Sequence, residues 1–175
     1  RQLQLSRVEM VYELAYLRIF VAWEMFLQDS FCRYMCGLAS PRWGQATTMN
    51  RPFFATLADA EVALRARPSH RFVLWHDAAT VVQRCNAWIP RGTHDIVLGS
   101  AVAFLHRAAR IRHRIVHGHD DARTRFAQTT MDLAHRRYPG ARPGRFLRDW
   151  VPNTTPPARW LHRLGDDLAS LAQQI

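Results

Sequence analysis

The sequence contains no lysine, only three cysteines and no long apolar run. An odd number of cysteines without C-x-x-C spacing excludes a disulfide framework and a zinc ribbon. No stretch approaches the roughly 18 apolar residues that a membrane-spanning helix requires. We therefore expect a cytoplasmic protein with free thiols that does not enter a membrane.

The absence of lysine means that all 24 basic residues are arginine, and the net charge is +10. A charge of this sign and size favours a polyanionic partner, with RNA or DNA ahead of a membrane surface. Codon bias in a GC-rich genome is the simplest source of the missing lysine. Whatever its origin, the arginine excess favours a nucleic-acid partner, because arginine binds phosphate through a planar fork of donors and stacks on bases better than lysine does.

Strand patterns are absent, and apolar residues recur at helical spacing along most of the 175 residues. We expect an all-α fold: a helical bundle with a long N-terminal helix and about five to six helices. A single domain over residues 1–175 is predicted, with a core at about 3–137 on which the C-terminal loop and helix 138–175 pack. The short run 72–75 is expected to plug that core. The predicted helices are 3–36, 56–67, 77–88, 93–116, 120–137 and 156–175.

The long N-terminal helix is apolar on two sides, as expected of a helix in the middle of a bundle. Glu24 falls on the second of these faces. A carboxylate there is either partly solvated or buried against a cation, because an unpaired buried charge is costly. The second face consists of Leu17, Phe20, Leu27 and Phe31.

The segment 110–119, RIRHRIVHGH, closes the predicted helix 93–116 and is the densest basic cluster in the chain. Arg112 occupies a position of the helix seam where apolar residues stand elsewhere. Because arginine stays protonated, it needs a carboxylate, a polar partner surface or an anionic ligand there. His113 and His117 lie one turn apart on the flank of this seam, which comprises Leu98, Val102, Leu105, Ala109, Arg112 and Val116.

Three interpretations of this segment stay open. A basic helix C-terminus is favoured by the helix macrodipole, but it explains Arg112 on the seam poorly. A metal site has the ligand spacing His113-x-x-x-His117, yet no nearby carboxylate or cysteine completes it and the arginines would repel a divalent cation. Metal-free RNA cleavage needs a base, an acid and positive charge on the phosphate, which histidine and arginine supply. We expect no metal and no other cofactor.

The residues 112–118, RHRIVHG, resemble the R-polar-x-x-x-H signature of HEPN-superfamily ribonucleases. In that signature a polar residue follows the arginine, and a histidine stands four to six positions after the polar residue. The residues 22–27, AWEMFL, are similar to the first-helix signature of RiboL-PSP- and MAE-type HEPN proteins of prokaryotic defence and toxin systems. The resemblance extends from about residue 8 to residue 137. It implies a HEPN-like helical bundle with the motif near the end of a late core helix.

The resemblance further implies a metal-independent endoribonuclease that cleaves RNA as a toxin or antiviral effector. Arg112 and His117 would be the catalytic pair, with His113 as the polar residue and Glu24 as the acidic partner that orients an arginine. HEPN protomers join their motifs across a dimer interface, so a homodimer with a composite site is implied, together with an antitoxin or regulatory partner. The residues expected to bind backbone phosphates are Arg107, Arg110, Arg114 and His119.

Other assignments fit the same sequence. Arg114 with His119 has the same spacing, and Arg110 with His117 fits the longer form of the motif; the seam position favours Arg112 with His117. A different function is a non-catalytic helical module that binds RNA or a partner protein through the basic surface. The chain could also be the dimerisation domain of a larger defence or toxin–antitoxin effector.

Overall fold

The computed structural model describes residues 2–38, 49, 52–65 and 74–175, and within them every regular element is helical. An isolated antiparallel bridge joins Trp150 and Arg159. The prediction of an all-α fold with a long N-terminal helix is confirmed. The helices are α1 (Gln2–Met35), α2 (Leu57–Leu64), α3 (Ala78–Trp88), α4 (Thr93–Ser100), α5 (Val102–Val116), α6 (Asp120–Ala134), α7 (Pro143–Arg148) and α8 (Trp160–Gln174), with a 3₁₀ turn at Pro139–Ala141.

The eight helices in these ranges exceed the expected five to six for two reasons. The predicted helix 93–116 is interrupted at Ala101, whose φ of −104° and ψ of 6° separate α4 from α5. Gly99 and Ser100, which precede the break, are weak helix formers. The second reason is α7, which begins with Pro143 in the first turn, where a missing N–H costs nothing. Of the predicted run 72–75, residues 72 and 73 lie outside the described residues, Leu74 is exposed, and Trp75 is buried against Phe31. The predicted end of α2 at residue 67 also lies outside the described residues.

The chain divides into two compact units, which are described separately. The first unit contains Arg1–Ala22 and His106–Ser170, and the second contains Trp23–Leu105 and Leu171–Ile175. Helix α1 therefore contributes its N-terminal part to the first unit and the rest to the second. The single domain over residues 1–175 stays a prediction.

In the first unit, α1 is attached to later helices by buried polar contacts. The hydroxyl of Tyr16, which is fully buried, donates to the carbonyl of Ala108 in α5 at 2.9 Å. The Glu13 carboxylate accepts the N–H of Gly144 at 2.8 Å and so caps the N-terminus of α7. The unit's core is completed by apolar side chains of the later helices, namely Ile111, Phe126, Phe146, Leu147, Trp160, Leu164 and Leu168.

The second unit contains a fully buried histidine, His94. Its ring lies against Phe31 and Tyr34, with centroid distances of 5.3 and 4.8 Å. Oγ of Ser30 lies 3.0 Å from Nε2 of His94 and 3.2 Å from the carbonyl oxygen of Leu27. Nδ1 of His94 is buried with no partner among the described residues. Burial therefore keeps this imidazole neutral and lowers its pKa to about 4.

The buried His94 makes the stability of the chain depend on pH. The folded state resists protonation down to about pH 4, whereas the unfolded state takes up the proton below about 6.5. The chain therefore has its full stability, as far as His94 is concerned, above pH 6.5, and it loses stability as the pH falls toward 4 because only the unfolded state takes up the proton. We expect the free energy of unfolding at pH 5 to be about 2 kcal/mol lower than at pH 8. Urea unfolding at both pH values measures this difference.

The variant His94→Phe keeps a ring beside Phe31 and Tyr34 but has no titrating group. Between pH 8 and pH 5 this variant should lose less stability than wild type, by most of the about 2 kcal/mol that the titration of His94 contributes. The control replaces the exposed His162 by phenylalanine and should lose as much stability as wild type. An equal loss in wild type and His94→Phe would contradict the assignment.

Candidate functional site

The residues at the end of α5 do not follow the predicted seam. The buried positions of this helix are Leu105, Ala108 and Ile111, whereas Val116, a predicted seam residue, is 50% exposed. The predicted register holds at Leu98 and Leu105, which lie on either side of the break at Ala101 and are both buried. It departs from the structure after Leu105, where the buried positions recur three residues apart. The seam argument therefore does not place Arg112 in a buried heptad position.

Arg112 is nevertheless half-buried. On a helix with 3.6 residues per turn, its angular position falls between those of Leu105 and Ala108, so its stem lies on the buried side of α5. Its Nε atom is shielded from solvent without a hydrogen-bond partner, and no carboxylate in the described ranges lies within ion-pair distance of it. An unpaired buried polar atom of this kind is uncommon, and Nε of Arg107 on the same helix is in the same state.

Beside Arg112, three imidazoles form a histidine cluster of His113, His117 and His119. Their ring centroids are separated by 4.4 Å for His113–His117, 5.3 Å for His113–His119 and 5.6 Å for His117–His119. The first two residues lie one turn apart at the end of α5, which explains their proximity. His119 joins them because it is the N-cap of α6, which begins immediately after Gly118 and His119.

The positive surroundings of the histidine cluster affect its protonation. Partial burial, followed by repulsion from His117, His119, Arg125 and Arg112, lowers the pKa of His113. His113 therefore stays neutral, and able to accept a proton, at pH values where an ordinary histidine begins to be charged. Nδ1 of His119 accepts the N–H of Ala122 at 3.2 Å, so in its neutral form the proton of His119 lies on Nε2.

The predicted phosphate-binding arginines differ in their surroundings. Arg114 donates from Nε to the carbonyl of Ala141 at 3.1 Å and from a terminal nitrogen to the carbonyl of His117 at 2.9 Å. These bonds hold the end of α5 against the 3₁₀ turn. Because they occupy donors of Arg114 that a phosphate would need, they favour Arg112 over Arg114 as the arginine of the motif. Arg107 is half-buried with an unpaired Nε, and Arg110 is half-buried. Their role toward RNA stays a prediction.

Glu24 belongs to the second unit and is only 17% exposed. Its carboxylate lies 3.4 Å from Nδ1 of His76, so it has an imidazole partner in that unit. Its predicted role in orienting an arginine stays a prediction. The sequence did not indicate this contact, because no regular spacing connects the two residues.

Trp150 is an exposed aromatic residue of the first unit that the sequence patterns did not indicate. Trp150 is 52% exposed and carries the guanidinium of Arg159 over its ring. The density of arginine around it was a signal that could have identified this surface.

The described residues place limits on other kinds of site. Across residues 2–38, 52–65 and 74–175, no group of three or more histidine, cysteine, aspartate or glutamate side chains is arranged to hold a metal ion. None of the helices in the same ranges is long and apolar enough to cross a membrane. Comparisons with protein-family models, with curated proteins and with solved structures find no match for the chain.

Proposed function

We propose that this protein is a metal-independent endoribonuclease of the HEPN type, acting as a toxin or antiviral effector. The observation that carries the proposal is the meeting of the histidine cluster with Arg112, whose Nε is buried and unpaired among the described residues. Two kinds of group needed for metal-free phosphoryl transfer, titratable imidazoles and a permanent positive charge, thus lie at the same helix end.

The proposed reaction is internal attack by a ribose 2′-oxygen on the adjacent phosphorus. An imidazole of the cluster accepts the 2′-hydroxyl proton, and a second one, in the protonated form, donates a proton to the leaving 5′-oxygen. The bond from phosphorus to the 5′-oxygen breaks, leaving a 2′,3′-cyclic phosphate and a 5′-hydroxyl. The lowered pKa of His113 suits it to the base role, and His117 is then the acid. Arg112 stabilises the charge on the pentavalent phosphate.

The proposal includes a homodimer in the cytoplasm, because the motif resembles that of proteins in which two protomers share a composite site. An antitoxin or regulatory partner is part of the same proposal. Arg107, Arg110, Arg114 and His119 are its candidates for binding RNA, and Glu24 is its candidate for orienting an arginine. Sedimentation at micromolar concentration measures the oligomeric state, and a monomer under those conditions would contradict the shared site.

The experiment that tests the activity is incubation of total RNA with the protein in excess chelator. We expect the wild type to cleave and Arg112→Ala to cleave about 100-fold more slowly, as for other losses of a charge-stabilising donor. Arg163→Ala is the matched control, because Arg163 is an exposed arginine that pairs with Asp167 at 3.0 Å. The amounts of cyclic phosphate and 5′-hydroxyl ends identify the reaction.

Two outcomes would contradict the proposal. Cleavage that chelator abolishes would show a metal-dependent enzyme. Salt-sensitive RNA binding without any cleaved product would identify a non-catalytic binding module instead.

A further inference from the structure

The positive charge of this chain is concentrated in a segment outside the proposed motif. The stretch from Arg136 to Arg163 contains seven arginines and one aspartate, a net charge of +6 out of +10 for the whole chain. All of it belongs to the first unit, which also contains the histidine cluster. Arg114 connects the two, because it binds the carbonyls of both His117 and Ala141.

The single carboxylate of this segment does not neutralise its surface. Asp149 accepts the hydroxyl of Tyr138 at 2.6 Å and forms an ion pair with Arg136. Arg137 and Arg145 are exposed, and neither has an ion pair within the described part of the chain. Arginines without internal partners keep their donors for an external anion.

Trp150 adds an exposed aromatic ring to this surface. It is 52% exposed although the guanidinium of Arg159 lies 4.1 Å from its ring centroid. Its backbone is fixed: Val151 donates to the carbonyl of Ala158 at 2.9 Å, and Trp160 donates to the carbonyl of Asp149 at 3.0 Å. An exposed aromatic ring beside an arginine is the combination on which single-stranded nucleic acids stack.

The core residues next to the Trp150–Arg159 pair are well packed. The ring of Trp160, directly after Arg159, stacks on the buried Phe146 with a centroid distance of 5.1 Å. The exposed ring therefore projects from an ordered part of the core, which lowers the entropic cost of stacking a ligand on it.

We infer that Trp150 and Arg159, together with the exposed Arg137 and Arg145 of the same segment, form an arginine–tryptophan surface that binds single-stranded RNA. The arginines contact backbone phosphates, and an unpaired base stacks on Trp150 beside the Arg159 guanidinium. A base within a duplex cannot offer its face to a side chain, so the exposed ring selects unpaired strands. The choice of RNA as the polyanion rests on the proposed function. The surface would hold the strand that the histidine cluster cleaves.

The test is binding of a short single-stranded RNA with 2′-O-methyl groups, which removes the attacking hydroxyl and hence cleavage. We expect Trp150→Ala to weaken binding about tenfold or more, and Trp150→Phe to remain close to wild type, because phenylalanine retains a stacking face. Arg145→Ala should weaken binding and reduce the dependence on salt by about one released counterion. Met131→Ala, at a 37% exposed apolar residue of α6 in the same unit, is the control.

Several outcomes would overturn this inference: equal binding by Trp150→Ala and wild type, equally tight binding of duplex RNA, or tighter binding to anionic lipid vesicles than to RNA.

Circular dichroism checks that each variant is folded, and Trp150→Phe with Arg145→Ala tests the surface if Trp150→Ala does not fold. Binding that depends on Trp150 without any cleavage of natural RNA would leave this inference standing and refute only the proposed nuclease. Cleavage of natural RNA, together with RNA binding that does not depend on Trp150, would refute this inference and leave the proposed nuclease standing.

Discussion

Replacing His117 by alanine is expected to lower the rate of RNA cleavage by about two to four orders of magnitude, the usual contribution of a general acid or base. His117 is exposed, so its loss leaves no cavity and should not change folding. It lies 4.4 Å from His113 between ring centroids, close enough for both imidazoles to reach the same phosphodiester. Single-turnover cleavage of a defined RNA in chelator measures the rate of the chemical step.

His162→Ala is the matched control, because it removes an exposed histidine from α8 of the same unit and should leave the rate unchanged. The pH dependence gives a second readout. Since the pKa of His113 is lowered, its base form persists below pH 6.5, and the acid-side loss of rate should begin below that value. The His113→Ala variant should lose that acid limb. A His117→Ala enzyme with the wild-type rate would assign the reaction to other residues.

The sequence predicted the helical class and the segment that carries the candidate site, because both depend on local patterns. Apolar periodicity identified α1, and the His113–His117 spacing predicted two histidines one turn apart at a helix end. The predicted register of α5 departs from the structure after Leu105, because Ala108 and Ile111 are buried there instead of Ala109 and Val116. The break at Ala101 was also missed, since it depends on backbone geometry that a continuous apolar pattern hides. Arg112 shares its buried and unpaired Nε with Arg107, and what sets it apart is its position beside the histidine cluster.

Contacts between distant parts of the chain could not be predicted in the same way. His119 joins the histidine cluster because it caps α6, and Arg114 is distinguished from Arg112 by its bonds to the carbonyls of Ala141 and His117. The pairing of Glu24 with His76 crosses 52 positions of the sequence. The helix α7 was predicted as a loop because proline and glycine usually end helices, whereas here the proline begins one and the glycine allows close packing.

Replacing Gly144 by alanine is expected to lower the free energy of unfolding by about 3 kcal/mol. A Cβ atom at this position would lie 2.6 Å from the carbonyl carbon of Glu9 in α1 and also overlap its oxygen. The obstacle is backbone, so no side-chain rotation relieves it. Relief requires α7 to move away from α1, which breaks the bond from the Gly144 N–H to Glu13.

Urea denaturation of Gly144→Ala and wild type measures this loss. The control is Gly99→Ala, because a Cβ at Gly99 meets nothing within 4 Å and alanine is the better helix former in α4. That variant should be as stable as wild type or slightly more so. Wild-type stability of Gly144→Ala would contradict the close packing of α7 on α1.

The close packing of α7 also connects stability to the proposed RNA surface. Phe146 of α7 stacks on Trp160, which follows the Arg159 that covers Trp150. A displaced α7 should therefore shift the support of the exposed ring, and Gly144→Ala should bind single-stranded RNA more weakly than wild type even at temperatures where it is folded. Normal affinity in a folded but destabilised Gly144→Ala protein would show that the ring is positioned independently of α7.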